Sequence, residues 1–204
     1  MIVWWILTVL LIGIALYTIR REGKSKGRVI TVAAFCTAAA FAIFQISIPV
    51  FGGVHMNLTP LIGILTGPFL GSLVVLILNI LSAAIGHGGF SMIGANTLVN
   101  IAEVTVAYLV YRLAKNLVTG GFARAGIAAF VSLFAGNCVM IAIILISGIQ
   151  GVSQSPGQVL YGLSLLAAIN MGVAIVEAII TGFVVGYLEK VRPDLLGEAP
   201  VVRR

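Results

Sequence analysis

The residues best suited to chemistry in this 204-residue sequence are two histidines that stand in glycine-rich segments between long apolar runs. His55 follows Gly52 and Gly53, and His87 stands between Gly86 and Gly88. Imidazole is a common ligand for transition metals, and glycine allows the sharp backbone turns that a binding loop needs. Two histidines are too few to close a coordination sphere, so a metal site and two structural loop histidines both stay open.

Two carboxylates lie inside the apolar runs. Glu103 and Glu177 each fall near the middle of a stretch long enough to cross a bilayer. An ionisable side chain at that depth is costly and is by default a functional candidate. A protonated glutamate that bridges two helices is the alternative interpretation. The polar neighbours that the sequence offers to either carboxyl group are Gln45, Asn100, Asn137, Asn170 and Thr181.

Three further polar residues follow the second histidine. Ser91, Asn96 and Asn100 are candidates to line a cavity, and Asn96 and Asn100 lie one helical turn apart on the same helix face. Asparagines between membrane helices also serve as interhelical hydrogen-bond partners, and the spacing does not distinguish the two roles.

Catalytic and redox motifs are missing from the sequence. It contains no GxxxxGK[ST] loop, no HExxH, no GxSxG and no CxxC. The sequence therefore predicts a protein that is not an enzyme and that relies on other subunits for any ATP hydrolysis. Cys36 and Cys138 fall inside apolar runs, where we expect small apolar fillers and no disulfide.

The elements that must position these residues are membrane helices. Hydrophobic residues make up 60% of the chain and charged residues 9%, with a mean hydropathy of +1.17, far from the composition of soluble domains. We expect an all-α helix bundle forming one integral membrane domain over 1–204. The first run has no basic residue before it, so we interpret it as a retained span. The predicted spans are 2–19, 29–50, 57–67, 69–85, 94–113, 124–149 and 158–188.

The number of spans depends on the segment around Gly67 and Pro68. The third span is too short to cross a bilayer alone unless the protein shields its ends, and the alternative is one kinked helix over 58–85. Seven spans place all 12 Lys and Arg on one side, as cytoplasmic loops require, whereas six would divide them. We therefore predict seven spans, with the N-terminus outside and a cytoplasmic tail over 190–204. The basic linkers would face lipid headgroups, and nothing indicates nucleic-acid binding.

Small residues predict close helix packing. Ala34, Ala38 and Ala42 form a row on one face of the second span, which suits docking of another protein or of another helix of this chain.

Three strings in the sequence resemble one family. They are Gly52-Gly53-Val54-His55 with the following LIGILTGP, the run GHGGFSMIGAN over 86–96, and the closing stretch from Ala174 to Leu196. Nearly the whole chain resembles the cobalt/nickel substrate-binding membrane proteins of energy-coupling-factor transporters, the CbiM/NikM family.

The resemblance implies a multi-pass component of the cell membrane that captures Co²⁺ or Ni²⁺ from outside. A separate transmembrane coupling protein and ATPase subunits would drive transport. His55 matches a metal ligand of the family, and His87 is a second candidate. The row Ala34, Ala38 and Ala42 would contact the coupling protein.

One feature departs from the family. Its members typically begin Met-His, and that segment supplies metal ligands, whereas this chain begins Met1-Ile2. A start further upstream, ligands from a partner protein, or a different substrate would each account for the difference. A substrate-binding component for a small organic molecule or vitamin, and a membrane scaffold that does not transport, are therefore the alternative functions.

Overall fold

Helices dominate the architecture. The computed structural model describes residues 2–22, 27–44, 47–48, 54–86, 89–148 and 155–196. Short 3₁₀ turns follow or precede several helices, at Phe90–Met92, Ala114–Asn116 and Pro193–Leu196. Within these ranges the elements are α1 (Ile2–Glu22), α2 (Gly27–Phe44), β1 (Ser47–Ile48), β2 (Val54–His55), α3 (Thr59–Ala84), α4 (Ile93–Leu113), α5 (Gly121–Ser147) and α6 (Pro156–Val191).

The structure confirms an all-helical membrane bundle but not seven separate spans. Six helices are described, and five of them are long and apolar enough to cross a bilayer. α2 carries a shorter apolar stretch, Ala33–Ile43. The predicted third and fourth spans lie in a single element, α3, which is broken at Gly67. The sequence prediction counts the segments before and after Gly67 as two spans, whereas the structure has one element. The segment before the break is too short to cross a bilayer alone.

The chain folds back on itself at this break. In a straight helix two residues nine positions apart are about 13 Å from each other. A Cβ atom built on Gly71 would nevertheless lie 3.6 Å from Cγ2 of Ile62. Ile62 also belongs to one core cluster with Val74 and Leu78. The segments before and after Gly67, α3a (59–66) and α3b (68–84), therefore pack side by side.

α4 provides the surface along which this hairpin runs. Gly63 and Gly71 both contact Val104, whereas Gly67 faces the ring of Tyr108, about one turn further along α4. α3a therefore runs in the direction of α4, and α3b returns against it.

Local chemistry explains the turn. Gly67 has φ 78° and ψ 175°, a conformation that is essentially restricted to glycine. Pro68 begins α3b, where its missing N–H is not needed and its ring fixes a helical φ. Thr66 donates its hydroxyl to the carbonyl of Ile62 at 2.7 Å, and Ser72 donates to the carbonyl of Pro68 at 2.6 Å. These bonds satisfy carbonyls near the break.

A small β-hairpin replaces the end of the predicted second span. That span was expected to continue to residue 50, but α2 ends at Phe44, and Ser47–Ile48 pairs antiparallel with Val54–His55. A short apolar run does not distinguish a strand from a helix end, and Pro49 opposes a continuing helix. The hairpin leads directly into α3a.

α1 packs against α4 through a glycine. A Cβ atom on Gly94 would lie 2.9 Å from the backbone nitrogen of Trp5, so only glycine allows this approach. Thr8 donates its hydroxyl to the carbonyl of Gly94 at 2.8 Å, and Trp4 donates its indole N–H to Ser147 at 2.7 Å. The start of α1 therefore lies beside the start of α4 and the end of α5.

The opposite end of the bundle carries a buried cation. Arg124 at the start of α5 is 5% exposed, stacks on Tyr111 with its Cζ 4.2 Å from the ring centroid, and lies 3.6 Å from Glu189. Glu189 also accepts the backbone N–H of Gly121 at 2.7 Å. These contacts hold together the basic ends of α4, α5 and α6.

Candidate functional site

The site is built around the N-terminal end of α3a. Glu177, in the middle of α6, accepts the backbone N–H of Asn57 at 3.0 Å and that of Leu58 at 3.2 Å, one on each carboxyl oxygen. Leu58 has φ 50°, and it is the one positive-φ residue other than glycine in the described ranges. The carboxylate therefore fixes the strained turn that joins strand β2 to α3a.

A second carboxylate holds the next residue of the same segment. Thr59 donates its hydroxyl to Oε2 of Glu103, at 2.5 Å, and both side chains are buried. Gly136 on α5 makes room for this carboxyl group, since a Cβ there would lie 2.7 Å from Cδ of Glu103. Residues 57–59 are thus held by carboxylates from two different helices, α4 and α6.

Both carboxylates border a polar cavity of about 250 Å³ between the helices. Its walls also include Met140 and a few aliphatic residues. Amide side chains are the most frequent lining group, and they are Asn57, Asn79, Asn96, Asn100, Asn137 and Asn170.

Some of these amides bond to each other. Asn170 donates to Oδ1 of Asn137 at 2.9 Å and lies 3.9 Å from the sulfur of Met140. Asn137 in turn donates to the sulfur of Met171 at 3.4 Å. These contacts join α5 to α6 on one wall of the cavity.

The electrostatics of the cavity favour a cation. Glu103 and Glu177 are the charged groups among its described lining residues, which include no Lys, Arg or His. The N-terminus of α3a, with its partial positive charge, offsets part of the cost of burying the two carboxylates.

The two histidines are located only in part. His55 lies in β2, two residues before Asn57, but its side chain and the whole of His87 lie outside the described residues. In the remainder, no group of three or more His, Cys, Asp or Glu side chains could hold a metal ion. The hairpin nevertheless brings the backbone of His55 close to the clamped turn.

Among the predicted cavity residues, Asn96 and Asn100 lie on the wall, and Ser91 does not. Ser91 is exposed in the 3₁₀ turn Phe90–Met92, outside the helix face that borders the cavity. Among the described residues, the carboxyl groups bond to Thr59 and to two backbone N–H groups, and not to the proposed asparagines or to Thr181, whose buried hydroxyl has no hydrogen-bond partner there. Gln45 lies outside the described residues.

The alanine row on α2 faces outward. Ala34, Ala38 and Ala42 are exposed, whereas Ala33 and Ala40 are buried against the core that contains α3. The row therefore does not pack against another described helix of this chain. Cys36 and Cys138 carry free thiols, and Cys138 is exposed on the helix surface and not buried as a filler.

Sequence reasoning missed three groups of the site. Asn79 lies in the largely apolar α3b, and its polarity there was an available signal. Asn57 and Thr59 gave no such signal, because both stand at the border of a predicted span and their partners are 120 and 44 residues away.

Comparison with known proteins identifies the family. Residues 1–195 match the model of CbiM, the cobalt uptake substrate-specific transmembrane region. The chain belongs to the CbiM family.

Two named transport proteins are similar to this chain in sequence. The cobalt transport protein CbiM of Lachnoclostridium phytofermentans is 31% identical over 88% of this chain and 74% of its own length. A fused nickel transport protein, NikMN of Archaeoglobus fulgidus, is 31% identical over 94% of this chain. The chain spans 62% of the length of that fused protein.

A solved structure shares the fold. The crystal structure of a transition metal transporter superimposes with a TM-score of 0.73 over 93% of this chain and 87% of its own, at 23% identity. With five helices that could cross a bilayer and a family of transmembrane regions, the chain is a multi-pass membrane protein.

Proposed function

We propose that this chain is the substrate-binding membrane subunit of an importer for Co²⁺ or Ni²⁺, of the energy-coupling-factor type. The observation that carries the proposal is the polar cavity, in which two buried carboxylates fix the turn that follows His55. The cobalt and nickel transport relatives support the choice of metal. In this role His55 binds the ion, with His87 as a second candidate ligand.

The proposed topology has seven membrane segments. α3a and α3b count as two, which places the N-terminus outside and the basic ends of α1, α4, α5 and α6 in the cytoplasm. The hairpin β1–β2 and the turn Phe90–Met92 then lie on the outer side, where a subunit that captures a substrate must open. The cell membrane is the proposed location.

The proposed partners are a transmembrane coupling protein and ATPase subunits. The outward-facing row Ala34, Ala38 and Ala42 supports a docking surface for the coupling protein, since small residues allow the backbones of two helices to approach closely. ATP hydrolysis belongs to the partners in this scheme.

Uptake measurements test the function. Cells that lack their own cobalt and nickel importers would carry this protein with coupling and ATPase subunits, and radiolabelled Co²⁺ and Ni²⁺ accumulation would be followed. We expect uptake to depend on this protein and to fall by about tenfold or more in His55→Ala, because a direct ligand is lost.

A second variant separates capture from coupling. Ala38→Trp should abolish uptake while metal binding to the purified protein is retained, because the bulky ring blocks docking and the described lining of the cavity includes no residue of α2. Absence of uptake by the wild type, together with a bound organic compound in mass spectra of the purified protein, would show that the substrate is not a metal. Equal uptake in the presence and absence of this protein would support the alternative function, a membrane scaffold that does not transport.

A further inference from the structure

The lining of the cavity suits a ligand surrounded by water more than a bare ion. The described wall offers amide and carboxyl groups from several helices and no imidazole or thiolate. Water bound to a divalent cation points its hydrogen atoms outward, so the wall that receives it must accept hydrogen bonds. Amide and carboxylate oxygens are acceptors of this kind.

Several of these acceptors have no partner among the residues that the structure describes. Asn100 is 7% exposed, and its side chain makes no hydrogen bond to any described residue. Oδ1 of Asn57 is buried without a hydrogen-bond partner in the same part of the chain. Glu103 accepts the hydroxyl of Thr59 on Oε2, and no described group donates to Oε1. Buried polar groups normally find a partner, so these groups indicate a ligand that donates hydrogen bonds.

The cavity also has room for a hydrated ion. Six waters occupy about 180 Å³ at roughly 30 Å³ each. The cavity volume is about 250 Å³, enough for one cation with its first shell. A bare metal ion would leave most of this space to be filled by other molecules.

The charge of the cavity also supports a bound cation. The cavity holds two carboxyl groups and no basic side chain among its described residues. Two buried carboxylates without a counter-charge are strongly unfavourable, whereas a divalent cation beside them would favour their ionised form and balance both charges.

We propose that this cavity binds a divalent cation together with its water shell, held by hydrogen bonds to the asparagines and balanced by Glu103 and Glu177. This inference rests on the proposed function and defines the form in which the subunit first receives its substrate. The site is distinct from direct coordination by His55, which would follow when water is lost.

An inert complex ion provides the test. Hexaamminecobalt(III) has the size of a hydrated cation and donates hydrogen bonds, but its ammine ligands do not exchange for protein side chains. Thermal unfolding of the purified protein in detergent micelles would be followed against the concentration of this ion. We expect a saturable rise of Tm by mass action, with the same midpoint concentration for wild type and His55→Ala.

Two cavity variants and one control complete the experiment. Glu103→Gln and Asn100→Ala should each weaken binding of the complex ion, the first by about tenfold because it removes half of the negative charge. Asp194→Asn removes a carboxylate near the end of α6, outside the cavity. We expect this variant to bind the complex ion with the same midpoint concentration as the wild type. Asn100→Ala provides the comparison if Glu103→Gln does not fold.

The outcomes are distinct. No rise of Tm in folded wild type, or the same response in Asn100→Ala and wild type, overturns the hydrated-ion site. Loss of binding in His55→Ala would assign the complex ion to the histidine and also overturns it. If the protein transports Co²⁺ or Ni²⁺ but does not bind hexaamminecobalt(III), the proposed transport function stands and this inference alone is refuted.

Discussion

Glu177 performs at the centre of the bundle the task that a capping side chain performs at the start of a soluble helix. Its two oxygens accept backbone N–H groups of Asn57 and Leu58, immediately before α3a. Helix ends need partners for their free backbone N–H groups, and at this depth in the bundle a side chain of the protein provides them. The position of His55, two residues earlier, depends on this contact.

Replacement of the carboxylate by its isosteric amide tests that dependence. In Glu177→Gln one oxygen becomes an NH₂ group that faces a backbone N–H, so we expect the free energy of unfolding to fall by about 1–3 kcal/mol. Affinity for Co²⁺ or Ni²⁺ should fall as well. Denaturation in micelles and metal titration measure the two effects.

Thr181 provides the matched control on the same helix. Its side chain is fully buried and its hydroxyl has no partner among the described residues, so Thr181→Val should leave stability unchanged or raise it. Full stability and metal affinity in Glu177→Gln would contradict the role of this carboxylate as the clamp of the turn.

A second prediction at the residue scale concerns Gly136. Its hydrogen atom leaves space for the carboxyl group of Glu103, so Gly136→Ala should displace that group and weaken metal binding while α5 itself is preserved. A fluorescence or calorimetric metal titration gives the affinity.

A glycine with free space is the control for this substitution. Gly162→Ala in α6 places a methyl group where no atom lies within 4 Å, and we expect no loss of affinity. Unchanged binding in Gly136→Ala would show that the position of Glu103 is unimportant.

At the scale of elements, the hairpin of α3a and α3b determines how the cavity is closed. α3a begins at the level of Glu103 and ends beside Tyr108, so its N-terminus lies within the bundle and not at a membrane surface. A half-helix with its N-terminus at this depth directs backbone N–H groups towards the site.

Gly67→Ala should therefore destabilise the fold. The φ of 78° and ψ of 175° at this position are accessible to glycine but cost other residues about 1–3 kcal/mol. A fall of Tm in micelles would measure this effect. Gly13→Ala in α1, with no neighbouring atom within 4 Å, serves as the control, and equal Tm values for the two variants would argue against strain at the turn.

Sequence reasoning could recognise individual residues of the site but not its connections. Glu103, Glu177, Asn96 and Asn100 stand out because carboxylates and amides are rare in apolar helices. Gly67 with Pro68 predicts a break. The two predicted spans 57–67 and 69–85 imply that the chain reverses there. Its course along α4 could not be predicted, because it depends on the packing of Gly63 and Gly71 against Val104.

At the scale of the whole molecule, composition predicted the all-helical membrane bundle, which the structure confirms. The structure places Arg112, Arg124 and Lys190 at one end, through contacts around Arg124 and Glu189. The β-hairpin before α3a escaped prediction because apolar runs of a few residues fit a strand and a helix end equally well.

Cysteine labelling tests the topology of seven membrane segments. With Cys36 and Cys138 replaced by alanine, single cysteines at Ser91 and Ser155 should react with a membrane-impermeant maleimide in intact cells. A cysteine at Arg21, which precedes α2 and α3, should react only after lysis. Reaction of this cysteine in intact cells, on the same side as Ser91, would mean that α3 crosses the membrane once.

The hairpin at Gly67 has a consequence for the biogenesis of the protein. α3a has eight residues and is about 12 Å long, far less than the bilayer core of about 30 Å, so the insertion machinery cannot partition it into lipid alone. It must enter together with α3b, and its N-terminal end finds acceptors only after Glu103 and Glu177 have been synthesised. Assembly of the centre of this protein is therefore a late event that awaits the last helix.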